Sequence, residues 1–479
     1  MLRTILEIYL PDGGNCAPGA LSMLRPIAMT TKTKNIMQAG AASRNVTPPV
    51  GVAMQGYGLR HAAAINDPIL GSALAVGGDR VEWLLLSIDA IGLDRGFTSR
   101  IRQMIGERFQ LAPSAITIAC SHTHSGPATL PHLGAVPADS SYLAFLEAQL
   151  EVLAEDAVKN LQPAHWRIGM TTLPENINRR LRWRGQIILD TDPHGPVDHR
   201  LRVMRIDRAS GSQPGVPLAL LIHYACHATT SSGVPEISSD WPGYMRANIQ
   251  RLYGEDHEPP VICFLQGCAG DLTHRIGRNR DAWPQHFEQQ TCVQSEIFGR
   301  LAAAAAISAS ERSVGFPMES VRAVVEPLNL PFYDHSGAEE TELQVIRLGP
   351  RHMRSEDTGD VAWIVGLPGE PFTAYSTDLG RQFHYRLGAR NDYVLVCGYT
   401  NDCVGYLCTP KALREGGYEA AVAHQMYHRP APFSAATKKI VFDRSLKAAK
   451  TMVSDTPLRG PRLFSGRSKV LHRWRSLLS

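Results

Sequence analysis

Five short apolar runs, at residues 115–120, 217–224, 260–265, 361–367 and 393–397, each stop at a cluster of polar residues set among glycine and proline. A sixth such run spans 82–88. The runs are rich in Val, Ile and Leu and do not alternate strictly with polar residues, which is how strands buried on both faces read. Segments with helical period lie between them, at 96–109, 141–161, 241–253, 284–311 and 372–387. Strands interleaved with helices predict an α/β fold, built as mixed β-sheet layers flanked by helices. Open α/β sheets bind ligands outside the carboxyl ends of their strands. A functional site, here a metal site, is therefore expected where the five polar clusters meet. Glycine and proline in each cluster permit the sharp exit turns that aim side chains into one crevice.

The composition excludes several function classes. The 479 residues carry 49 Lys and Arg against 45 Asp and Glu, a net charge of +4. No arginine-rich stripe interleaved with aromatics accompanies it, so nucleic acid is not an expected partner. Nine cysteines without regular spacing argue against a disulfide framework. No stretch is apolar and long enough to span a bilayer. Residues 1–38 read as a disordered extension, because the short apolar run at 5–10 is broken by Pro11-Asp12-Gly13-Gly14 and gives no secretory signal. Free cysteines without an export signal imply a cytoplasmic location. Residues 39–430 read as the catalytic domain and 431–479 as a helical, basic tail. In that tail Val470, Leu471, Trp474, Leu477 and Leu478 fall at helical spacing among arginines, a pattern compatible with peripheral contact to an anionic membrane or with docking on the domain itself.

The chemistry sits in the polar clusters. In His122-Thr123-His124, alternate residues of an extended segment point the same way, so both imidazoles can face one cavity. His227 follows the second run in the same context, and Glu370 adds a carboxylate beside Gly369. Two histidines and a carboxylate leave a coordination position for water on zinc, the hydrolytic arrangement. Asp271 and His274 are candidates to support the ligands from behind. Asp240 reads as the N-terminal cap of the helix that follows it.

Ser121-His122-Thr123-His124-Ser125-Gly126-Pro127 resembles the histidine motif of the neutral/alkaline, non-lysosomal ceramidases. The likeness continues in chain order through Arg44-Asn45-Val46-Thr47-Pro48-Pro49, Gly56-Tyr57-Gly58, Asp67-Pro68, Asn176-Ile177-Asn178-Arg179, Pro368-Gly369-Glu370, and Asn401 with Gly405-Tyr406. It covers residues 39–430. The resemblance implies a zinc-dependent amide hydrolase that cleaves ceramide or a related N-acyl lipid to fatty acid and amine. It implies zinc held by His122, His227, Glu370 and Tyr406, with His124, Arg179 and Tyr418 lining the amide-binding site. The sequence departs from the family at two places. The family's Gly-Asp-Val-Ser-Pro stands here as Gly270-Asp271-Leu272-Thr273-His274, which puts the hydroxyl of Thr273 in the serine's place, and a family tyrosine is Cys403. Too little chain follows Pro430 for the family's trailing immunoglobulin-like domain. Two other readings stand beside this one: a zinc hydrolase of a different small amide or ester, and a non-catalytic descendant that binds metal or lipid.

Overall fold

The computed structural model describes residues 37–453, apart from 132, 210, 212–214, 232, 277–291 and 352–359. Two sheets face each other. The larger has nine strands in the order Val261–Gln266, Pro217–Tyr224, Arg200–Arg208, Gln162–Thr172, Gln38–Asn45, Leu70–Gly77, Val81–Ile88 and Ile116–Cys120, with Val314–Phe316 pairing onto Gln162–Thr172. Most pairs are antiparallel, but the two outermost pairs, Pro217–Tyr224 with Val261–Gln266 and Val81–Ile88 with Ile116–Cys120, are parallel. The smaller sheet runs Ser320–Pro331, Ala338–Gly349, Ala362–Gly366 and Val394–Cys397, and its last pair is also parallel.

Alternation along the strands assigns each face. Leu85 and Leu221 of the large sheet share a core with Ile346, Ile364 and Leu395 of the small one. Leu84 and Leu86 turn outward onto the helices Arg95–Phe109 and Ser140–Lys159, which Asp94 and Asp139 cap through the amides of Phe97 and Tyr142, each at 2.9 Å. Leu220 and Ile222 pack under Asp240–Gly254 and Cys292–Glu311. Trp363 and Val365 of the small sheet pack under Thr373–Leu387 and Thr437–Val453. The result is a mixed α/β architecture with helices outside two facing sheets.

The large sheet curls until its outer strands approach one another. The Ser87 hydroxyl donates to the Phe264 carbonyl at 2.7 Å, and Ser87 in turn accepts from the Phe264 amide at 3.1 Å. At the same end the small sheet wedges in: Gly398 N donates to Gln266 O at 3.0 Å and Cys120 N to Tyr399 O at 3.1 Å. The carboxyl ends of strands from both sheets therefore meet in one place.

All six strand-like runs form strands, shifted at their ends by a residue or so, and the helices fall where periodicity places them, although 284–291 of the segment expected at 284–311 lie outside the described residues and its helix is described as Cys292–Glu311. Helix Thr437–Val453, within the segment expected to be a tail, carries Val441, Ala448, Ala449 and Met452 into the core under the small sheet. The basic stretch beyond it and the start of the 1–38 extension lie outside the described residues. No described helix is long and apolar enough to cross a membrane.

Candidate metal centre

Each strand end delivers one part of the site. His122 follows Ile116–Cys120 and adopts φ 63°, the left-handed region that only a few per cent of non-glycine residues use. This turn swings the ring inward, where it stacks on Tyr399 at 4.0 Å between centroids. His227 follows Pro217–Tyr224, and a parallel bridge between Thr123 and Ala228 locks the two histidine loops side by side. Glu370 follows Ala362–Gly366 and pairs in register with Tyr406.

The imidazoles are oriented from behind. Nδ1 of His122 lies 2.6 Å from the Ile91 carbonyl, and Nδ1 of His227 lies 2.7 Å from that of Ala269. A carbonyl can only accept, so each Nδ1 carries the proton, and in the neutral ring Nε2 presents a lone pair. Those lone pairs meet the carboxylate: Glu370 Oε2 is 3.3 Å from His122 Nε2 and 3.2 Å from His227 Nε2. His124 Nε2 lies 3.0 Å from His122 Nε2. The side chains of His122, His227 and Glu370 are at most 2% exposed. Burial, followed by the nearby Arg179 charge, pushes the His227 imidazole down to about 4, and burial followed by its two histidine neighbours holds His124 well below the usual range. Both are neutral at pH 7, the form that ligates metals. The convergence of lone pairs with a carboxylate, and a buried His227 Nε2 without a hydrogen-bond partner, fit a bound cation. His122, His124 and His227 offer ligand atoms within 4.8 Å of one another and could hold a metal ion.

His124 differs from the other two. Its Nδ1 is buried and has no hydrogen-bond partner, and its ring is held only through the Nε2 contact to His122. Gly56, at φ 106°, presses against the ring so closely that a Cβ there would sit 2.6 Å from His124 Nδ1. Gly56→Ala is expected to lower the unfolding free energy by about 1–3 kcal/mol, since strain at a positive φ adds to the clash. Chemical denaturation checks this, and an unchanged midpoint would contradict it.

A second ring of groups sets the carboxylate. Tyr427 donates to Glu370 Oε1 at 2.5 Å, and the Tyr399 hydroxyl lies 3.4 Å from Oε2. Arg179 donates from Nη2 to the Tyr406 hydroxyl at 3.0 Å and to the Gly270 carbonyl at 2.9 Å, and from Nε to Glu419 at 2.8 Å. A cavity of about 470 Å³ opens over His122, His124, Glu370 and Tyr406, with Tyr418 beside them. Leu59, Ile91, Leu133, Val136 and Met426 give it apolar walls.

The expected residues do not all converge equally. His122, His124, Glu370, Tyr406 and Tyr418 line the cavity; His227 and Arg179 stand behind it, joined to Glu370 and Tyr406. Thr273 does not line it. It lies buried in the short strand Leu272–His274 opposite Ile177, its hydroxyl without a hydrogen-bond partner. The support expected from Asp271 and His274 takes another form. Asp271 accepts from the amide and hydroxyl of Thr373, at 2.7 and 2.8 Å, and main-chain carbonyls orient the histidines instead. Asp240 is not the cap expected of it: Ser239 holds the cap position and Asp240 is the first residue of the helix. At φ 58° it accepts from the amides of Thr230 and Ser231 as well as that of Trp241, tying down the loop beyond His227. Tyr399 and Tyr427 were not anticipated. Tyr399 belongs to a polar cluster visible in the sequence, whereas nothing near Tyr427 marks it.

No family model matches the sequence, and no curated protein matches it either. Among solved structures, the neutral ceramidase of Pseudomonas aeruginosa matches with a TM-score of 0.68 at 14% identity, over 88% of this chain and 75% of that one. A ceramidase complexed with C2 matches with the same TM-score and identity, over 88% of this chain and 77% of that one. At such identity the likeness is one of fold.

Proposed function

We propose, from the premise of a fold shared with neutral ceramidase, that this chain is a zinc-dependent amide hydrolase that cleaves ceramide or a related N-acyl lipid into fatty acid and amine. The observation that carries the reading is the meeting of His122 and Glu370 in the lining of a cavity with apolar walls, with His227 joined to Glu370 from behind. Its volume lies within the roughly 300–1,000 Å³ usual for small-molecule sites, and the five apolar side chains suit an acyl chain better than a charged one.

In this reading His122, His227, Glu370 and Tyr406 hold the zinc. When bound there, zinc supplies Lewis acidity toward an acyl carbonyl and toward water. The chain's own residues do the rest. Arg179 holds the Tyr406 hydroxyl through a 3.0 Å hydrogen bond and keeps positive charge directly behind it. Tyr418 presents a phenol to the cavity that can donate to an oxygen developing negative charge. His124, neutral and with an uncommitted Nδ1, can take a proton and return it to a departing amine. Thr273, opposite Ile177 in the adjoining strand, is given no part at the cavity.

The test is hydrolysis of a fluorogenic N-acylsphingosine, compared with an N-acetyl amide and a short ester, before and after chelation. The expected result is cleavage that chelation abolishes and zinc restores, with the long-chain amide preferred. Preference for the short ester or acetyl amide would move the substrate to the second class of small amides and esters. Turnover indifferent to chelation would overturn the metal-dependent reading.

A further inference from the structure

One buried side chain touches the backbone of both histidine loops. Gln266 ends the strand Val261–Gln266 and has no exposed surface. Its Nε2 donates to the Ser121 carbonyl at 3.0 Å and to the Cys226 carbonyl at 2.8 Å, and its Oε1 accepts from the Cys226 amide at 3.1 Å. Ser121 immediately precedes His122, and Cys226 immediately precedes His227. The Gln266 carbonyl also accepts from Gly398, the residue before Tyr399. Ile116–Cys120 and Val261–Gln266 are the two outermost strands of the nine-stranded sheet's main order, so no ladder hydrogen bond joins them. Only where the sheet curls do their ends come within reach, and Gln266 bridges them there.

We propose that Gln266 is a positioning residue for the metal centre: it staples the curled sheet's two outer strands and, together with the Thr123–Ala228 bridge, sets the spacing of His122 and His227. This rests on the reading of that centre as a zinc site. Geometry supports the assignment in three ways. Both N–H donors and the oxygen of the amide are used, so the side chain has one orientation and cannot rotate without losing buried hydrogen bonds. The position continues the outward column of Ile262 and Phe264, where an apolar residue would pack with no need for partners. The histidines take their own second hydrogen bonds from Ile91 and Ala269, which fix ring orientation but not the distance between the loops.

The experiment measures zinc affinity by chelator competition on the full chain, with wild type, Gln266→Glu, Gln266→Leu and a control, Ser87→Ala. Gln266→Glu keeps the shape but turns an oxygen toward two carbonyls; Gln266→Leu removes every polar contact. Ser87→Ala breaks the neighbouring inter-strand bond to Phe264 while leaving the loops alone. Both Gln266 variants are expected to bind zinc about 10–100-fold more weakly, the usual cost of losing an outer support, and their cobalt-substituted forms to show altered visible absorption. Ser87→Ala is expected to lose thermal stability with zinc affinity unchanged. Wild-type affinity in either folded Gln266 variant would overturn the proposal, as would an equal loss in Ser87→Ala. A wild type that binds no zinc would fail at the earlier step and overturn the metal-site reading itself.

Discussion

His227→Ala is expected to abolish stoichiometric zinc binding and to lower N-acyl amide hydrolysis by about 1,000-fold or more. Outer-shell groups already cost about 10–100-fold when removed, and His227 offers its lone pair directly to the centre. The ring has no exposed surface, is anchored through Nδ1 to Ala269, and points Nε2 at Glu370. The Trp241 indole donates to the His227 backbone carbonyl at 3.2 Å, a bond the substitution leaves in place, so the loop should persist. Zinc content and turnover measured on the same folded sample check this. A variant with full zinc and near wild-type turnover would remove His227 from the ligand set.

Glu419→Ala is expected to have the largest effect on stability. The carboxylate is 1% exposed and receives Arg179 Nε at 2.8 Å and Arg180 Nη1 at 2.7 Å. Removing it leaves two buried guanidiniums without their counter-charge, and breaking a buried pair costs about 3–5 kcal/mol. The loss reaches the site as well, because Arg179 holds the Tyr406 hydroxyl from its other end. Chemical denaturation of Glu419→Ala and Glu419→Gln checks this: the alanine variant should fall by several kcal/mol, and the glutamine variant, which retains one acceptor, by less. A loss under about 1 kcal/mol in the alanine variant would show that both arginines find other partners.

The apolar strands were legible because burial on both faces leaves a run of Val, Ile and Leu. Arg200–Arg208 escaped notice because it carries its charges into the interior: Arg205 pairs with Asp207 at 2.6 Å, and Arg202 lies 3.6 Å from Asp198. A strand that satisfies charges by ion pairing has no apolar signature. Ser320–Pro331 was obscured by Pro327 and Pro331, which it tolerates as the edge strand of the small sheet. At the site, His122, His227 and Glu370 could be read because each directly follows an apolar run. Gln266 closes such a run, where a single polar residue looks like the first residue of a loop. Tyr427 reaches Glu370 from a helical turn 57 residues further along the chain, a proximity that only the folded backbone creates. The general rule is visible in these cases: residues that hold the site from behind act through long-range contacts, and local sequence pattern carries no trace of those.

The central claim is that His122, His227 and Glu370 meet around a zinc ion. Elemental analysis of the purified full chain, wild type beside His122→Ala, tests it most directly. The account predicts one zinc per chain in the wild type and none in the variant, with both proteins folded. A wild type that carries no metal after incubation with zinc, or a variant that retains it, would contradict the account.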